Sequence, residues 1–201
     1  KSDTAARIER SALRIDGVVL GRILRIGIPA GIQAAVFAVA NIIIQSAINS
    51  LGTIVMAASS AAFNIEIFAY DVLNSFSQAC TTFVGQNYGA GKVKRCKKVI
   101  GLCMGEGVLA LGIAITIILL SGHQLLALFN SNPEVIEVGY TRLIIIFAAY
   151  FFTLTYEVLS GYLRGFGISV VPAVLTMIGI CGVRITWIYT VFPKDRTLNN
   201  I

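Results

Sequence analysis

Apolar side chains fill five long stretches of this chain, near 26–48, 60–85, 99–121, 138–163 and 168–192, and charge collects between them. Each stretch holds about 20 or more mostly apolar residues, the length an α-helix needs to cross about 30 Å of hydrocarbon. In lipid, every backbone hydrogen bond must close within the segment. The pattern therefore predicts an all-α, polytopic transmembrane helical bundle. Gly27-Ile28-Pro29-Ala30-Gly31 reads as the opening of span one, because proline in a first turn forfeits no internal hydrogen bond. Pro172 reads the same way at span five. Asn132-Pro133-Glu134 predicts the cap of a short surface helix. Gly101 and Gly105 in span three have small-xxx-small spacing, which permits close contact with a neighbouring helix.

Polar residues inside the spans carry the candidate chemistry. A charge at mid-bilayer costs about 2.5–3.5 kcal/mol on insertion scales, so each needs a partner or a wet cavity. In span two, at about 100° per residue, Glu66, Tyr70, Asp71, Asn74, Ser77, Gln78 and Thr81 fall within an arc of roughly 140°. Ile67, Phe68, Val72, Leu73, Phe76 and Ala79 make up the remaining face. A polar seam between helices, worth about 1 kcal/mol or less per hydrogen bond, is one reading. This many polar groups, two of them acids, favours the other, a wall of a wet cavity.

Span one repeats the pattern more weakly. Gln33, Asn41 and Gln45 share a face with Phe37, as a seam or as substrate contacts. Span four carries Tyr150, Thr153, Glu157, Ser160 and Arg164 along one stripe. Glu157 is about 10 Å up the helix from Arg164, too far for a tight pair on one straight helix. A desolvated carboxyl of this kind can hold a proton or a cation and release it when the cavity opens; the alternative is a structural acid. Glu106 in span three reads as a buried acid or one paired near the interface. Arg184, within span five and the one arginine read as deep, is the natural counter-charge for one of these acids, with the partner left open.

Composition agrees with a membrane protein. The chain is 56% hydrophobic with a mean hydropathy of +0.81, against about 45–50% apolar for soluble domains. The net charge of +6 does not point to nucleic acid, because the basic residues gather at span ends. Lys1, Arg7, Arg10, Arg14, Arg22 and Arg25 precede span one; Lys92, Lys94, Arg95, Lys97 and Lys98 lie between spans two and three. The segment 49–53 is uncharged, and 121–137 holds only Glu134, Glu137 and His123. The positive-inside rule then places the N-terminal arm and the 92–98 loop in the cytoplasm, with Lys194 and Arg196 mildly against it.

Residues 1–22 read as a basic cytoplasmic linker with amphipathic helical character, not a signal peptide, and 23–201 as a transmembrane lobe. The odd span count and the opening at Lys1 predict a fragment of a longer protein, lacking at least one helix after residue 201. Cys80, Cys96, Cys103 and Cys181 form no CxxC pair, and His123 is the one histidine, so neither a zinc site nor a catalytic set is expected. Residues 85–92 lack the GxxxxGK[ST] order and read as a helix stop and tight turn. Without an ATP site, uphill transport would draw on an ion gradient, and no cofactor beyond a coupling ion is expected.

Gly27-Ile28-Pro29-Ala30-Gly31-Ile32-Gln33, Gly85-Gln86-Asn87-Tyr88-Gly89-Ala90-Gly91-Lys92, Pro133-Glu134-Val135-Ile136, Leu163-Arg164-Gly165 and Val183-Arg184-Ile185-Thr186-Trp187-Ile188-Tyr189 occur in this order. Over about residues 20–201 the chain resembles the C-terminal lobe of MATE (multidrug and toxic compound extrusion) transporters, in a bacterial branch. The resemblance implies two six-helix lobes, of which this chain would supply helices seven to eleven, with the N-terminal lobe of the same protein as partner. It also implies alternating-access export of small cationic, amphipathic drugs across the bacterial cytoplasmic membrane, in antiport with H+ or Na+.

One departure stands out. Two acids that bind the coupling cation in one branch of the family fall, by motif register, at Phe37 and Thr153 here. Glu157, Glu66 and Asp71 remain as cation-coupling candidates. Gln33, Phe37, Asn41, Tyr70, Asn74, Gln78, Tyr150, Thr153 and Tyr156 are the expected substrate contacts, with Arg184 and Arg164 as structural charge partners. A lipid-linked oligosaccharide flippase of related architecture is the competing transporter reading, weakened by the single deep arginine. A non-transporting membrane assembly subunit would use the polar stripes as seams alone.

Overall fold

A computed structural model describes residues 15–193 of the chain; the arm before Ile15, and Lys194 and Arg196 beyond, lie outside the described residues. The described residues form helices α1 (Gly17–Asn49), α2 (Thr53–Gly89), α3 (Val93–Leu120), α4 (Gly122–Ala127), α5 (Pro133–Gly165), α6 (Val170–Thr176) and α7 (Val183–Thr190). A π-helical segment, Met177–Gly182, joins α6 to α7 as one continuous span. Among the described residues five spans are long and apolar enough to cross a membrane, one for each apolar stretch.

The helix ends depart from the sequence reading where capping side chains act. The Asp16 carboxylate accepts the backbone N–H groups of Val18 and Val19 at 2.8 and 3.2 Å. These bonds satisfy donors that a helix start leaves open. So α1 begins at Gly17, inside the segment read as linker, and Pro29 lies in the helix interior rather than opening it. There it has no N–H to return to the Arg25 carbonyl. Asn132 caps the backbone N–H of Glu134 at 2.9 Å, with Pro133 in the first turn. It therefore starts the long helix α5, not a short surface helix; the short helix of that loop is α4. Pro172 does lie in the first turn of α6. Residues 85–92 behave as a stop: Gly91 takes a φ of 71°, and the Lys92 N–H returns to the Asn87 carbonyl at 2.8 Å.

α2, α3 and α5 form the packed core around Leu73, Leu111, Leu143, Phe147, Leu154 and Val158. Glycine decides how close α5 comes to α2. A methyl on Gly161 would overlap the Ser77 carbonyl, and one on Gly165 would lie 2.7 Å from the Val84 side chain. Gly107 performs this service on α3, against Leu154. Gly101 and Gly105 do not: a methyl on either meets nothing within 4 Å, because both point away from the buried stripe of Cys103, Gly107 and Leu111. All four cysteines are free and buried. α1 packs along the α6–α7 span, where Ile44, Ala47, Ile48, Ile188 and Phe192 form a second apolar cluster. Polar side chains meet between this pair and the α2–α5 pair.

Candidate functional site

The polar side chains between these helices gather into two clusters along α5. The first joins α2 and α5. Tyr150 donates its hydroxyl to Glu66 Oε1 at 3.0 Å, and an Arg142 guanidinium nitrogen lies 3.5 Å from Glu66 Oε2. The other guanidinium nitrogen donates to the Ser59 carbonyl at 2.6 Å. The ion pair is mostly shielded, with the Arg142 and Glu66 side chains 17% and 19% exposed.

Arg142, absent from the stripe read on span four, lies eight residues before Tyr150 on that same face of α5. The counter-charge of Glu66, which the sequence left open, is Arg142, on the helix packed directly against α2. Arg184 is no longer the one deep arginine. It is accessible on α7 and forms no ion pair among the described residues, while lying within electrostatic range of Glu66 and Arg142.

The second cluster joins α1, α5 and α6. Arg164 donates to Gln33 Oε1 at 3.3 Å, and Gln33 Nε2 donates to the Tyr156 hydroxyl at 3.4 Å. The Tyr156 hydroxyl is also hydrogen-bonded to Thr176, which in turn donates to the Pro172 carbonyl at 2.7 Å. Gln33 is buried, so it serves first as a strut between helices. Arg164 thus meets an amide and forms no ion pair among the described residues.

Glu157 stands between the clusters. Its backbone carbonyl accepts the Ser77 hydroxyl at 2.7 Å, while its half-buried carboxylate forms no ion pair among the described residues. Tyr70, Tyr156 and Arg164 are the charged or polar groups within its electrostatic range. Tyr70 also interacts with Tyr150, and so links the two clusters.

The polar arc of α2 divides. Ser77 and Thr81 bond to backbone carbonyls of α5, Thr81 to that of Gly161 at 3.0 Å, and make a seam. Asp71 and Gln78 stay exposed and Asn74 half-buried, turned away from that seam. Phe37 and Thr153 are half-buried, and Asn41 is exposed. The structure does not bring Asp71, Asn41 or Gln78 into either cluster. His123 lies 3.2 Å from Glu137 and packs on the ring of Tyr140, near the ends of α4 and α5 and apart from both clusters.

Membrane-length helices that join charged and polar side chains between them are the build of a polytopic membrane protein. The chain belongs to the MatE family, whose model matches residues 29–190. It is 26% identical over 176 residues to the probable multidrug resistance protein YoeA of Bacillus subtilis, covering 88% of this chain and 38% of that protein. Over 183 residues it is 28% identical to the multidrug resistance protein PmpM of Pseudomonas aeruginosa, covering 90% of this chain and 38% of the relative. A probable multidrug resistance protein NorM of Thermotoga maritima is 29% identical over 166 residues, 81% of this chain and 35% of that one. The fold is similar to a solved MOP superfamily transporter from Pyrococcus furiosus, with a TM-score of 0.75 at 21% identity, over 85% of this chain and 38% of the other. That structure is described as having a binding pocket of reversed polarity that suggests a different function. The chain thus spans less than two-fifths of the length of each of these relatives.

Proposed function

We propose that this chain is one lobe, the C-terminal one, of a secondary exporter. It would move cationic amphipathic compounds outward in antiport with H+ or Na+ by alternating access. The observation that carries the reading is the state of Glu157. Its backbone is pinned by Ser77, while its half-buried carboxylate, beside the Tyr70 hydroxyl, forms no ion pair among the described residues. A carboxyl held by a phenol rather than by an opposite charge can take up and release a cation without first breaking an ion pair. Glu66, by contrast, is committed to Arg142 and Tyr150, which leaves Glu157 as the coupling candidate and gives Glu66 a structural part.

Asp71, exposed on α2, would attract cationic substrate toward the open face. The rings of Tyr70 and Tyr156 beside Glu157 would offer cation–π contacts, about 0.5–2 kcal/mol each. The names of the relatives support the drug-export half of the reading, and the basic residues 92–98 at the start of α3 support a cytoplasmic N-terminal end. The test is Glu157→Gln in the full-length protein. Gradient-driven efflux of ethidium should be lost at normal expression, and unchanged efflux refutes the coupling role.

A further inference from the structure

We propose that the exposed face of α3 holds an anionic phospholipid of the adjoining leaflet, with its headgroup on Lys94 and Lys98 and one acyl chain in the apolar hollow between α3 and α5. This lipid site stands apart from the two polar clusters and does not depend on what the protein exports.

Charge complementarity gives the headgroup end. Lys92, Lys94, Arg95, Lys97 and Lys98 crowd the start of α3, all exposed, and none forms an ion pair among the described residues. The nearest acids along the chain are Asp71 and Glu106. Glu106 lies about 12 Å along the helix from Lys98 and about 80° around it, off the line of the two lysines. Uncompensated cations beside a membrane attract anionic lipid, each contributing about a factor of five.

The shape of α3 gives the acyl end. At about 100° per residue, Lys94, Lys98, Gly101, Gly105 and Gly112 fall within an arc of about 60°. Space is open over all three glycines, so the surface below the lysines is a shallow trough. The trough leads to a hollow of about 500 Å³ lined by Val108, Leu109, Gly112, Ile113 and Phe151, apolar walls that α3 and α5 leave uncovered. Val108 lies about 15 Å along the helix from Lys98, half the thickness of a roughly 30 Å hydrocarbon core. A headgroup held by the lysines therefore brings the end of its acyl chain to the hollow. Orientation by positive charge asks only that basic residues stand near this end of the span, on any face. It does not require two of them in line above one hollow.

Photocrosslinking of the full-length protein tests the site. The protein is reconstituted in phosphatidylcholine with a trace of phosphatidylglycerol that carries a diazirine at the end of one acyl chain, irradiated, and mapped by peptide mass spectrometry. Label should fall on residues 108–117 and at Phe151, well above that from phosphatidylcholine carrying the same diazirine. Lys94→Gln with Lys98→Gln should cut this label about tenfold or more, while Lys94→Arg with Lys98→Arg should hold it within about twofold. Lys92→Gln with Arg95→Gln removes as much charge from the other side of the helix and should also hold it within about twofold. Equal loss in the two glutamine pairs means a general effect of surface charge and overturns the inference. Equal label from the two headgroups means ordinary boundary lipid and overturns it too. If the hollow takes no label from either lipid, another helix or a second copy covers it, and the site is rejected. Protection by inorganic phosphate as complete as that by unlabelled phosphatidylglycerol would assign the lysines to a soluble anion and reject it as well.

Discussion

Ser77 on α2 donates its hydroxyl to the backbone carbonyl of Glu157 on α5 at 2.7 Å. The bond fixes the backbone from which the candidate coupling acid projects, and the acid's own oxygens meet the Tyr70 hydroxyl rather than an opposite charge. Ser77→Ala should therefore cost about 0.5–1.5 kcal/mol of stability, the worth of one hydrogen bond. It should slow export without abolishing it. Thermal melting in detergent beside a transport assay separates this modest loss from a collapse of the lobe.

Gly161 lets the two helices approach closely enough for that bond. Gly161→Ala pushes a methyl into the Ser77 carbonyl and hydroxyl, so a loss of about 1–3 kcal/mol is expected from overpacking. Gly105→Ala, made in open space, should be neutral or stabilise slightly, since alanine is the better helix former. Melting temperatures of the two variants should fall on opposite sides of, or well apart around, that of the unmodified protein. Equal loss at both sites contradicts the packing described here.

Glu66 and Arg142 should behave as a unit. Removing one partner strands a mostly shielded charge, so Arg142→Gln alone is expected to destabilise by about 3 kcal/mol or more. Adding Glu66→Gln should return part of that loss. A double-mutant cycle with a coupling energy of about 1–3 kcal/mol confirms the pair. Strict additivity would show that the two charges do not meet.

The five spans were legible because apolar runs of membrane length leave few alternatives. Their ends were not. A single capping aspartate, Asp16, carries α1 back to Gly17 and so turns Pro29 from a helix opener into an interior residue. Spacing also failed to choose among glycines. Gly101 and Gly105 share the separation of Gly161 and Gly165, but only the latter pair faces a neighbour.

The candidate site was legible as polar stripes rather than as contacts. Helical periodicity put Glu66, Ser77, Thr81 and Asp71 on one arc. Which part of the arc becomes seam depends on where α5 packs, and that is a tertiary fact. Arg142 was within reach of the sequence, since the stripe through Tyr150 and Glu157 extends back to it. Its pairing with Glu66 follows from the α2–α5 contact alone.

The central claim is that Glu157 exchanges the coupling cation. The most direct measurement loads proteoliposomes of the full-length transporter with ethidium and imposes a proton or a sodium gradient on Glu157→Gln and on the unmodified protein. The account predicts that the variant still binds ethidium yet gains nothing from either gradient. Gradient-stimulated export by Glu157→Gln at the unmodified rate would contradict it.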